Sequence, residues 1–79
     1  MNNKKQPINK KAIDELEELN SYVKSGIDLR LGGKPSNPSK IVKACSVAES
    51  KGYYSYMRDY LPDEKGVVQK INFNKIKLK

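Results

Sequence analysis

In the stretch KKAIDELEELNSYVK, Ala12, Leu16, Leu19 and Val23 return at four- and three-residue steps, and Ile13 and Tyr22 widen the stripe. One apolar face at that period predicts an amphipathic helix over Lys10 to Lys24. Asn9 stands where a cap can accept a first-turn N–H, and Gly26 follows where a positive φ ends helices. Next, Ile27, Leu29 and Leu31 alternate with Asp28 and Arg30, the period of a half-buried strand. A second helical stripe, Ile41, Ala44, Cys45 and Ala48, runs from about Pro38 to Lys51. Asn37 is its expected cap, Pro38 its first residue and Gly52 its stop.

The segment YYSYMRDYL fits two periods. Tyr53, Tyr54, Met57, Tyr60 and Leu61 make a helical face, but the aromatic richness, the brevity and the flanking Gly52 and Pro62 favour a strand. PDEKG is turn chemistry, and VVQKINFNKIKLK is rich in strand formers, so the pair reads as a β-hairpin. The alternation of the tail slips at Asn74-Lys75. A bulge there would put Val67, Ile71, Phe73, Ile76 and Leu78 on one face, with Val68, Lys70, Asn72, Lys77 and Lys79 on the other. The elements thus predict an α+β fold in the order helix, strand, helix, β-hairpin. Its sheet is small, three-stranded and mostly antiparallel, covered on one face by the two helices. Residues 1–8 read as a flexible N-terminal arm, and residues 9–79 as one small domain.

Charge changes this picture. The chain of 79 residues carries a formal net charge of +7, with 16 basic against 9 acidic residues. Such a balance favours an anionic partner through long-range attraction and counterion release. All but Arg30 and Arg58 of the basic residues are lysines. Arginine is the side chain that reads guanine edges, so sequence-tolerant phosphate contact is the expectation rather than base-specific readout. The lysine-rich tail admits a second explanation: lysines on an edge strand discourage pairing with another sheet.

Catalytic constellations are sparse. There is no histidine and a single cysteine, Cys45, which leaves neither zinc-ligand spacing nor a nucleophile–histidine pair. The expectation is a non-enzymatic protein with no cofactor and no metal. Cys45 lies on an apolar helix stripe and reads as a packed structural thiol, and a lone cysteine suits a reducing cytoplasmic setting. No apolar run approaches the length of a membrane span, so no membrane association is expected. GGKPSNPSK raises an anion site, with Gly32 and Gly33 for close approach, the helix start at Asn37, and Lys34 and Lys40 as flanking cations. The other explanation is a plain strand-to-helix connection.

Two binding functions follow. In the first, lysines contact nucleic-acid phosphates and tyrosines on one strand face stack bases. Its candidate residues are Arg30, Lys34, Lys40, Lys43, Tyr54, Tyr56, Arg58, Lys70, Lys77 and Lys79. The alternative is a small protein-binding adaptor or inhibitor, of the kind a phage or mobile element encodes, acting through a tyrosine-rich sheet face or a sheet edge. A weak homodimer through the first helix is a third expectation, for a stripe too short to form a coiled coil alone.

Overall fold

A computed structural model describes residues 10–78. The arm over residues 1–8, the Asn9 cap and Lys79 lie outside the described residues. The elements are α1 (Lys10–Lys24), β1 (Asp28–Leu31), β2 (Lys34–Pro35), α2 (Pro38–Lys51), β3 (Tyr54–Pro62) and β4 (Val68–Lys77). Both helices have the bounds their periodicity predicts. Asn37 caps α2 as expected: its backbone is extended and its side-chain oxygen accepts from the Lys40 N–H at 3.0 Å. Gly52 closes the helix at φ 81°, a left-handed conformation that suits a residue without a Cβ.

The chain is α+β, but the sheet has four strands in the order β2-β1-β4-β3 and is mixed, which corrects the expected three-stranded, mostly antiparallel sheet. The extra strand is β2, inside the stretch read as a loop. Gly32 and Gly33 both have positive φ, 61° and 84°, which is what a two-residue turn between twisted strands requires. Pro35 masked the strand in the sequence, yet β2 is a sheet edge, where a missing N–H does no harm. The second difference is the pairing of β1 with β4, which is parallel and sets Leu29 opposite Ile71 and Leu31 opposite Phe73. Two antiparallel hairpins, β1–β2 and β3–β4, are thereby joined along their inner strands.

The core sits where the helices meet that junction. Leu19 of α1, Ile41 of α2, Leu29, Ile71 and Phe73 are essentially inaccessible and form one cluster. Tyr22, Leu31, Val42, Cys45, Tyr56 and Val68 pack around it. Cross-strand partners share a face. Tyr54, Tyr56, Arg58 and Tyr60 therefore lie on the helix side with Ile71 and Phe73, while Met57, Asp59, Lys70, Asn72 and Ile76 lie on the open side.

The expected bulge at Asn74-Lys75 does not occur. Pairing runs unbroken from Tyr54 opposite Lys77 to Leu61 opposite Lys70, and the irregularity falls at Leu61/Pro62. This shift turns Val68 toward the core and leaves Val67 exposed. It also moves Lys75 and Lys77 to the helix side and Ile76 to the open side. Lysines are tolerated there because that end of β4 extends past β1 and their long stems carry the ammonium groups to the rim. The tail is an inner strand only over Lys70–Phe73; beyond Phe73, among the described residues, β3 alone pairs with it, so Lys75 and Lys77 stand on a stretch open on its other side.

Replacing Asn37 with alanine leaves the Lys40 N–H without its capping acceptor. A loss of about 1 kcal/mol is expected, read as a fall in melting temperature of roughly 4–8 °C for a domain of this size.

Candidate nucleic-acid interface

Helical geometry distributes α2 into a buried and an exposed face. Ile41, Cys45 and Ala48 turn inward. At 100° per residue, Lys40, Lys43, Val47 and Lys51 fall within a narrow arc of the opposite side, flanked by Ser39, Ser46 and Ser50, and all of these are exposed. Glu49, the one acidic residue of α2, lies well outside that arc and is ion-paired with Lys11 of α1. The outer face of α2 is thus a lysine and serine stripe without a carboxylate, about 16 Å long at 1.5 Å per residue.

The stripe ends at a cluster of aromatic rings. Lys51 is followed by Gly52 and then by Tyr53, whose side chain is about half exposed. The Tyr53 and Tyr54 rings stand 5.5 Å apart, and Tyr54 meets Tyr56 edge-on at 6.1 Å. Lys75 places its Nζ 4.2 Å from the centre of the Tyr54 ring, and Lys77 is the cross-strand partner of Tyr54. Beside this corner a cavity of about 310 Å³ opens between the two helices and the start of β3, lined by Lys11, Ser46, Glu49, Tyr54, Tyr56 and Leu78, among others.

The remaining candidates go elsewhere. Arg58 is clamped beneath α1. Its guanidinium donates to both carboxylate oxygens of Glu18 at 2.8 Å, to Glu15 at 3.4 Å and to the Tyr60 hydroxyl at 3.3 Å, and it lies 5.2 Å from the Phe73 ring centre. These bonds hold the Glu18 carboxyl below its ordinary value of 4.5, with the Tyr22 hydroxyl adding a bond at 2.7 Å and partial burial opposing. Arg30, on the open side, bonds Asp28 at 2.9 Å and the Gly33 carbonyl at 3.3 Å. Lys70 is the strand partner of Asp28 on that same face. Lys34 sits on the far edge strand, opposite Leu31.

Of the sequence candidates, then, only Lys40 and Lys43 share the α2 stripe, while Tyr54, Tyr56 and Lys77 meet at the corner. Both arginines are taken up in ion pairs. Three residues escaped the sequence reading: Lys51, Tyr53 and Lys75. Lys51 was discoverable, since positions 40, 43, 47 and 51 repeat at helical spacing on a helix whose limits were already clear. Lys75 depends on the hairpin register and had no sequence signal.

The donors of the glycine loop are committed within the fold. The Gly32 N–H donates to the Phe73 carbonyl at 2.9 Å, and the Gly33 N–H to the Asn72 side chain at 2.8 Å. The Lys40 N–H is taken by Asn37. These three donors are engaged, and the loop pins the β1–β2 turn to β4. Burial, chiefly, pushes the Cys45 thiol up to about 11, which disfavours the thiolate at neutral pH. No family model matches this chain, and no curated protein or solved structure is detectably similar to it.

Two outcomes test this geometry. Because Glu18 is depressed in the folded state, its stabilising contribution is full above its ordinary value near 4.5 and fades as pH falls through the lower folded value. Arg58→Gln should cost roughly 1–2 kcal/mol at neutral pH in urea unfolding. That difference should shrink on acidification below about pH 4, and Arg58→Lys should recover only part of it. For Cys45, iodoacetamide alkylation at pH 8 should run roughly ten- to a hundredfold slower in the folded protein than in urea.

Proposed function

We propose that this chain is a non-catalytic, sequence-tolerant nucleic-acid-binding protein. The exposed stripe of α2 follows the phosphate backbone and the tyrosine corner receives bases. The observation that carries this reading is the carboxylate-free helix face of Lys40, Lys43 and Lys51, followed in the chain by Gly52, Tyr53 and Tyr54, with Lys75 against the Tyr54 ring. Lysine ammonium groups neutralise phosphates as point charges and select no base. Tyrosine faces stack on any base, and single strands expose those faces. The engagement of Arg30 and Arg58 within the fold leaves no guanidinium for guanine edges, which agrees with tolerance of sequence. The free thiol of Cys45 suits a cytoplasmic setting. Among the described residues, no helix is long and apolar enough to cross a membrane.

A second reading is a protein-binding adaptor or inhibitor acting through the open sheet face. There Met57, Leu61 and Ile76 stand among charges of balanced sign, Asp28, Arg30, Asp59 and Lys70, which suits a protein surface better than a phosphate backbone.

Fluorescence anisotropy with mixed-sequence single- and double-stranded oligonucleotides tests the first reading. Affinity should fall steeply with salt, and the Lys40→Gln/Lys43→Gln/Lys51→Gln variant should flatten the log–log slope by about two to three on duplex. Tyr53→Ala should weaken single-strand binding more than duplex binding. No binding at about 50 mM salt defeats the proposal. Recovery of a protein partner that survives nuclease treatment would favour the second reading.

A further inference from the structure

The sheet order leaves β3 as an edge strand of nine residues whose only strand partner among the described residues is β4. Edge strands of that length are normally blunted by lysines, prolines or bulges, since a bare row of backbone donors and acceptors recruits other strands. In β3 the proline and the irregularity come only at its end, at Leu61/Pro62. This chain has lysines almost everywhere else, yet its longest lysine-free interval, residues 52–64, is the one that contains β3. The strand instead exposes large apolar and aromatic groups on both faces: Tyr60 on the helix side, Met57 and Leu61 on the open side, and Tyr53 just ahead of it.

We infer that β3 pairs antiparallel with β3 of a second copy of this chain, across a two-fold axis perpendicular to the sheet, to give one continuous sheet of both molecules. Such an axis keeps each side chain on its own face and lets only residues of equal parity oppose one another. Charge narrows the register, and the overlap of exposed apolar and aromatic groups favours one centred on Met57. Centring the axis on Arg58 or on Asp59 sets like charges against each other, which is destabilising. Centring it on Met57 pairs Met57 with its symmetry mate, Tyr54 with Tyr60, Tyr56 with Arg58 and Ser55 with Asp59, and carries Tyr53 opposite Leu61. Every cross-strand pair in that register is apolar, aromatic, cation–aromatic or hydrogen-bonding, and no like charges meet. The pairing keeps the helices of both copies on one side and leaves the lysine stripe of α2 outside the contact.

Sedimentation velocity on the native chain over a concentration series tests this. A species of twice the 9.0 kDa chain mass should appear at high micromolar concentration. Met57→Lys, which opposes two ammonium groups at the axis while replacing an exposed side chain, should return the chain to monomer with an unchanged melting temperature. The register is read by a short thiol–thiol cross-linker. Met57→Cys should link efficiently, because self-opposed Cβ atoms lie about 5 Å apart. Asp59→Cys should not, its mates being separated by roughly 14 Å along the strands. Monomer mass at several hundred micromolar overturns the proposal, and so does a dimer that survives Met57→Lys. Linking through Asp59 but not Met57, or through neither, also overturns it.

Discussion

Leu29 against Ile71 and Leu31 against Phe73 is the pairing on which the other contacts depend. It joins a hairpin near the start of the chain to a hairpin at its end, and it brings together the strand residues that Leu19 and Ile41 cover. Without it there is no inner position for β4, no place for α2 to cross from one edge of the sheet to the other, and no site over Phe73 for the Arg58 guanidinium. In a chain with few apolar residues to spare, this short parallel junction supplies Leu29, Ile71 and Phe73, half of the buried apolar residues among those described.

Electrostatics divides along the same lines. The two arginines, able to form planar bidentate contacts, act within the fold. Arg58 joins α1 to β3, and Arg30 steadies the β1–β2 turn. The lysines, compact charges on flexible stems, are mostly left to solvent. The consequence is a surface whose attraction for anions is strong in sum and poor in geometric discrimination. That is the character sequence-tolerant binding needs. The open face of the sheet, by contrast, is nearly neutral.

Helix limits, caps and the second hairpin were readable because each rests on local signals. A 3.6-residue period, Asn37 before Pro38, and Gly52 and Gly66 at positive φ are all properties of a few neighbouring residues. What the sequence did not reveal depended on partners distant in the chain. The parallel β1–β4 pairing, and with it the inner place of β4, has no local mark. Strand β2 was hidden by Pro35, whose penalty disappears at an edge. The tail was misread because its slip in alternation suggested a bulge, whereas Lys75 in fact turns toward the helix side and lies against Tyr54. The candidate site shows the same split. Lys40 and Lys43 were visible as helix residues, while the tyrosine corner required knowing which face of β3 the helices cover.

The pairing of Asp28 with Lys70 through Leu31 with Phe73 also governs how the protein must assemble. Each hairpin closes over a few residues, but the sheet becomes whole only when the first strand finds the last, and closing so long an intervening segment is entropically slow. Until then β4 has a bare inner edge and Phe73 no cover. The β3–β4 hairpin is therefore the kinetically vulnerable unit of the molecule, competent to pair with the wrong strand before the right one arrives. A domain with so small a core gains from any event that shortens that interval.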